Sequence, residues 1–282
     1  MWDAEKLPRK LPAFYRIPIV LSGMVSWTRA GINRSSEQNA RNEDMILYYI
    51  RHGDPTYNPD QLTPLGKRQA EAVARRLSQY GLDEIYVSSS NRAQETCRPT
   101  CEILKRAPVI LDWANEMHAW KQLTVMEASG RQNWGFAAPE TKKLFASEEL
   151  AEYRFKWYEH PAFQGTQFEA GIKRIQKETW AFLEAQGLVF DAERGGYIEK
   201  YPNDKRIALF AHQGFGLAFL SVVLNIPYPQ FSVHFNMSHT GFSVISFSKT
   251  DDIVIPNMLM LSNDSHLYRE GIPTRYNNYL NL

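Results

Sequence analysis

The feature of this sequence that most constrains its fold is a pair of strand-length apolar runs, each stopped by a histidine. Met45-Ile-Leu-Tyr-Tyr-Ile50 runs into Arg51-His52-Gly53, and Arg206-Ile-Ala-Leu-Phe-Ala211 runs into His212-Gln213-Gly214. A continuous apolar run, without alternation of polar and apolar residues, suits a strand buried on both faces. Such strands sit in parallel sheets covered by helices, and the carboxyl ends of the strands form the edge where ligands bind. His52 and His212 are 160 positions apart in sequence, yet both are expected at that edge.

The rest of the chain supplies the alternating helices and strands that such a sheet needs. Thr63 is placed as an N-cap with Pro64 at the first helical position, and Ala70, Val73, Ala74 and Leu77 mark one helical face. A strand over Glu84–Val87 leads through Ser88-Ser89-Ser90-Asn91 into a helix ending near Leu104, and Val109–Leu111 is a third strand. Helical spacing returns from Thr166 to Gln186 and again, very apolar, from Gly214 to Leu224; two strands, Phe242–Phe247 and Ile253–Leu261, close the core. The fold class read from this order is α/β: a three-layer α/β/α sandwich with a mostly parallel central sheet. Residues 112–165 break the regularity and gather aromatics, which predicts an irregular, partly helical lid inserted over the sheet edge.

Residues 1–44 do not share this pattern. Lys6, Arg9, Lys10 and Arg16 precede a short apolar stretch, Ile17–Met24, that Pro18 interrupts and no small-residue cleavage site follows. They are read as an N-terminal extension, with residues 45–282 as the domain proper and Met45 as an alternative start. No stretch is long enough to span a bilayer, so no membrane partner is expected. With 32 Lys+Arg against 31 Asp+Glu, bulk charge does not favour nucleic acid, and any bound anion must meet a local positive cluster. The two cysteines, Cys97 and Cys101, lack further ligands at zinc spacing and are read as reduced helix residues of a cytoplasmic protein.

That local cluster is present. Arg51 adjoins His52, and Arg92 follows the second strand at the mouth of its helix, so two guanidinium groups and two imidazoles converge on one edge. Arginine pairs bidentately with phosphate oxygens and keeps its charge in any surroundings. Helix N-termini after Thr63, Asn91 and Gln213 add backbone N–H donors of the same sign. Singly, each group has an ordinary structural reading; together they form a site for a phosphate-like dianion. The other five histidines lack a comparable setting.

The segment Arg51-His52-Gly53 through Asn58, then Leu62-Thr-Pro-Leu-Gly66, resembles the opening of the histidine phosphatase (phosphoglycerate mutase-like) superfamily. Ser88-Ser89-Ser90-Asn91-Arg92-Ala93 through Thr96 is similar to its second signature, Ala211-His212-Gln213-Gly214 to its third, and Asn263–Leu267 to a closing segment. The resemblance implies a phosphomonoesterase acting on a small phosphorylated substrate, with His52 as nucleophile. Arg51, Arg92, His212 and Asn58 would contact the phosphoryl group, and Glu116 would be the proton donor, with Asp112 as its competitor. It implies no metal and no cofactor. A mutase remains the second reading, although Thr166 and Gln167 stand where mutases carry Glu-Ser, with Gly165 and Arg174 at matching spacing. A non-catalytic phospho-ligand or partner-binding protein is the third, and a homodimer is left open. Aromatics of the lid, and Lys121, Arg131, Lys142 and Lys143, are left between packing or surface roles and contact with the leaving group.

Overall fold

The computed structural model describes residues 44–277, so the expectations for the N-terminal extension before Asp44 lie outside the described residues. The chain opens with β1 (Met45–Arg51), a small hairpin of β2 (Pro55–Tyr57) and β3 (Asp60–Leu62), α1 (Pro64–Leu77), β4 (Glu84–Ser88), α2 (Asn91–Leu104) and β5 (Val109–Leu111). The lid region follows with α3 (Glu116–Gln122), a second hairpin of β6 (Thr124–Met126) and β7 (Gln132–Trp134), α4 (Pro139–Phe145) and α5 (Glu148–Ala151). Then come α6 (Phe168–Ala185), β8 (Leu188–Asp191), β9 (Gly196–Glu199), β10 (Arg206–Ala211), α7 (Gln213–Val223) and α8 (Tyr228–His234). The described chain closes with β11 (Phe242–Thr250), β12 (Ile253–Asn263) and α9 (Ser265–Arg269).

Eight strands form one sheet in the order β5-β4-β10-β1-β11-β12-β9-β8. The half from β5 to β1 is parallel, as the apolar runs require, and it carries the site. The half from β11 to β8 is antiparallel and contains the β8–β9 hairpin, which the helix-strand alternation did not reveal. Every residue of β1 is buried. Successive side chains of a strand point to opposite faces, so Ile46, Tyr48 and Ile50 pack with Val73 and Leu77 of α1, while Leu47 and Tyr49 pack with Phe215 and Phe219 of α7. Each such side chain contributes about 1.5–3 kcal/mol through the apolar area it removes from water.

Two pairings set the level at which the histidines leave the sheet. In the parallel ladder Arg51 lies opposite Ala211, so the next residues, His52 and His212, emerge side by side. In the antiparallel ladder Ile50 lies opposite Phe242, so the segment that precedes β11 arrives at the same edge. Thr63 caps α1 as read, accepting from the Gly66 N–H at 3.0 Å.

Candidate active site

His52 is 1% exposed and His212 is fully buried, with ring centres 5.2 Å apart. Nδ1 of His52 lies 2.8 Å from the Gly53 carbonyl oxygen, which can only accept, so the proton sits on Nδ1 and Nε2 keeps its lone pair. Gly53 is held in turn by its own N–H, which donates to the Thr96 hydroxyl at 3.0 Å. Burial first, then the charges of His212, Arg51 and Arg92, hold His52 well below the ordinary histidine pKa. It is therefore a neutral imidazole with one free nitrogen.

His212 is fixed by different partners. Its Nε2 meets the Ser88 hydroxyl at 2.8 Å and the Ser90 hydroxyl at 3.2 Å, while the Tyr49 hydroxyl donates to its carbonyl at 2.6 Å and accepts from its N–H at 3.2 Å. Nδ1 faces Oε2 of Glu116 at 3.6 Å. Burial, then Arg92 and Arg51, lower the pKa of His212 well below its usual value.

Arg92 lies at the start of α2 and is 6% exposed. It pairs with Asp60 at 2.8 Å and with Glu116 at 3.1 Å, and these two carboxylates outweigh its burial and raise its pKa. The same two acids also occupy helix N-termini: Asp60 Oδ2 accepts from the Asn91 N–H at 2.9 Å, and Glu116 Oε1 from the Gly214 N–H at 2.8 Å. Arg51 is fully buried and donates to the Met237 carbonyl and to Oδ1 of Asn277; desolvation lowers its pKa to about 10. Among the described residues, Nε of Arg51, Nε of Arg92 and Nδ1 of His212 are buried nitrogens without a hydrogen-bond partner. Native structures rarely leave such groups unpaired, and clusters of them mark a site for an acceptor.

A cavity of about 680 Å³ opens over this cluster, with Arg92, Glu116 and Ser90 on its wall. A second, of about 770 Å³, lies on the far side of the β6–β7 hairpin against α4 and Gly165 and contains none of these groups. Side-chain atoms of His52, Glu116 and His212 able to ligate a cation lie within 4.8 Å of one another. Arg51 and Arg92 beside them oppose a further positive charge, so the donor set suits an anion better than a divalent ion.

The match to known proteins agrees with this geometry. A model of the histidine phosphatase superfamily (branch 1) aligns with residues 47–255. The chain belongs to that superfamily. Among solved structures, this histidine phosphatase is similar to a mycobacterial glucosyl-3-phosphoglycerate phosphatase at 18% identity, covering 78% of this chain and 99% of that one with a TM-score of 0.51. It is also similar to a phosphoserine phosphatase of Entamoeba histolytica (17%, 79% and 99%, TM-score 0.51). A putative alpha-ribazole-5'-P phosphatase of Escherichia coli matches comparably (18%, 78% and 97%, TM-score 0.50). A PE-PGRS family protein of Mycobacterium tuberculosis is 32% identical over 88 residues, which is 27% of this chain and 15% of that protein. Among the described residues no helix is long and apolar enough to cross a membrane.

Of the residues read from the histidine phosphatase motifs, His52, His212, Arg51, Arg92 and Glu116 come together. Asn58 does not. It stands exposed in the turn between β2 and β3, and the same hairpin sends Tyr57 and Asp60 to the cavity instead. Tyr57 also lies under the Arg92 guanidinium, 5.3 Å from it. Asp112 turns away, accepting from the Ser89 hydroxyl and pairing with His118 at 3.0 Å. Arg174 bonds to Gln122 and to the Trp113 carbonyl, away from the histidines.

The sequence reading missed His239, which it grouped with histidines lacking a site. Its ring stacks 5.8 Å from that of His52, its Nδ1 faces Asp54 at 3.3 Å, and its Nε2 meets Oδ1 of Asn277 at 2.9 Å. Asn277 therefore bridges Arg51 and His239, and it also lines the cavity. No motif signals either residue. The one available sign is that His239 stands three positions before a buried strand.

Proposed function

We propose that this chain is a phosphomonoesterase that works through a phosphohistidine on His52 and releases phosphate from a small phosphorylated metabolite. One observation carries the reading: neutral His52 keeps Nε2 free, and Arg51, Arg92 and His212, which act electrostatically on its ring, each hold a buried side-chain nitrogen without a partner. An imidazole lone pair beside three unsatisfied nitrogens fits attack on a phosphoryl group whose oxygens those nitrogens receive.

The steps balance without any further group. Nε2 of His52 forms a bond to phosphorus as the bond from phosphorus to the ester oxygen breaks. Glu116, 3.1 Å from Arg92 and 3.6 Å from His212, takes up the proton that the phosphate monoester brings as its monoanion and passes it to the leaving oxygen, and the alcohol departs. Water then attacks phosphorus and returns a proton to Glu116, the bond from nitrogen to phosphorus breaks, and inorganic phosphate leaves. Through both steps the guanidinium groups and the His212 ring hold the equatorial oxygens, the electrostatic contribution that dominates phosphoryl transfer. The Gly53 carbonyl holds the Nδ1 proton and takes up part of the positive charge that forms on the ring.

Incubation with para-nitrophenyl phosphate and with 3-phosphoglycerate, each without added metal and beside His52→Ala, tests the proposal. Release of inorganic phosphate that disappears in the variant supports it. Interconversion of phosphoglycerates without release of phosphate would show a mutase instead.

A further inference from the structure

We infer that the substrate's leaving group is an uncharged aromatic alcohol, whose ring lies against Trp134 and Trp120 while its ester oxygen faces Glu116. The inference rests on the phosphatase reading and narrows it to a substrate class.

Two sets of lid aromatics separate in the structure. Phe145, Trp157 and Phe168 are at most 1% exposed and pack against one another, with ring centres 5.2–5.9 Å apart, which makes them core. Trp120, Trp134 and Phe136 are only partly buried and line the cavity over the catalytic cluster. Trp134 stacks on Phe136 at 5.6 Å with 19° between the planes and meets Trp120 edge-on at 5.1 Å, so one continuous aromatic wall results. Exposed aromatic surface in a concave site favours stacking with a ring.

The wall is placed against the proton donor. The indole of Trp134 lies on Gly214 so closely that a Cβ at that position would stand 2.4 Å from it. The N–H of the same Gly214 donates to Glu116 Oε1 at 2.8 Å. Trp134 and the acid that protonates the leaving oxygen thus share one residue as their support. A group attached to that oxygen extends directly over the indole.

Charge points the same way. Arg92 is the one cation on the cavity wall among the described residues, and it faces two acids there, Asp60 and Glu116. A carboxylate on the leaving group, as in phosphoglycerate or phosphoserine, finds no free positive partner and adds repulsion. The lid cations do not supply one. Arg131 pairs with Glu127 and Lys143 with Glu140 at the surface, Lys142 is exposed, and Lys121 lines the second cavity. The rest of the lining is uncharged, and four of its residues bear amides, Asn115, Asn133, Gln213 and Asn277.

The test compares two non-hydrolysable phosphonates that differ only in a phenyl against a carboxylate, benzylphosphonate and phosphonoacetate, by calorimetric titration. The full chain is expected to bind benzylphosphonate about tenfold more tightly or better, with most of that preference lost in Trp134→Ala and kept in Trp134→Phe. Equal or tighter binding of phosphonoacetate by the unaltered chain overturns the inference, as does an undiminished preference in Trp134→Ala. Because no turnover is needed, a chain that shows the preference yet hydrolyses no ester contradicts the phosphatase reading and leaves the ligand class standing.

Discussion

Nδ1 of His52 sits 2.8 Å from the carbonyl oxygen of Gly53, the next residue in the chain. This contact uses the bend at the end of β1 to fix the tautomer of the ring. It leaves Nε2 as the only nucleophilic nitrogen and needs no side chain from elsewhere. The neighbouring positive groups then have a second consequence, since together with burial they keep the ring unprotonated.

That consequence appears in the pH dependence. His52, His212 and His239 all have folded pKa values below the free value of about 6.5, because burial disfavours the charged ring. His266 is lowered to about 4 by the same cause. For a lowered pKa the stabilisation is complete above the unfolded value and is lost as pH falls toward the folded one. Thermal unfolding temperature is expected to hold between pH 8 and 7 and to fall progressively below about 6.5. A histidine ring spectrum that shows His52 titrating near its ordinary value would contradict the assignment.

Glu116 as proton donor separates substrates by leaving group. Glu116→Gln keeps the acceptor for the Gly214 N–H but has no proton to give. Turnover of an alkyl phosphate is expected to drop by about 10²–10⁴-fold, and that of para-nitrophenyl phosphate much less, because nitrophenolate leaves without a proton. Equal losses on both esters would assign Glu116 a role in binding only.

Metal dependence follows from the positive cluster. Chelators are expected to leave the rate unchanged, since Arg51 and Arg92 already supply the charge. Added zinc is expected to leave it unchanged too, because Arg51 and Arg92 oppose a cation among His52, Glu116 and His212. Rate measurements with a chelator, and then with zinc in excess, decide it, and loss of activity in the chelator would sink the metal-free scheme.

Tyr49 supports the site from below. Its hydroxyl makes two hydrogen bonds with the backbone of His212, and the side chain is fully buried. Tyr49→Phe removes the only N–H partner described for that residue, and a loss of about 1–3 kcal/mol is expected in denaturant unfolding. A loss of less than about 0.3 kcal/mol would mean that the His212 backbone finds another partner.

The residues legible in the sequence are those placed by local rules. His52, His212 and Arg92 each follow a strand of the parallel half, and strand ends in such a sheet share one edge. His239 escaped because it precedes its strand. It reaches the edge only because β11 runs antiparallel to β1, a pairing that no local periodicity encodes. For Asn58 the spacing gives the distance from His52 but not the β2–β3 hairpin, which leaves it exposed in its turn and brings Asp60 to Arg92. For the lid aromatics, the sequence showed that rings accumulate. Only packing divides Phe145 and Trp157, in the core, from Trp120 and Trp134, on the cavity wall.

Whether the phosphoryl group passes through His52 is decided by trapping the phosphoenzyme. The full chain is mixed with a substrate radiolabelled in its phosphate, quenched in alkali during turnover, digested and mapped. An alkali-stable, acid-labile label is expected on the peptide that carries His52 and is absent from His52→Ala. Turnover with no label on protein, or with the label on His212 or His239, would contradict it.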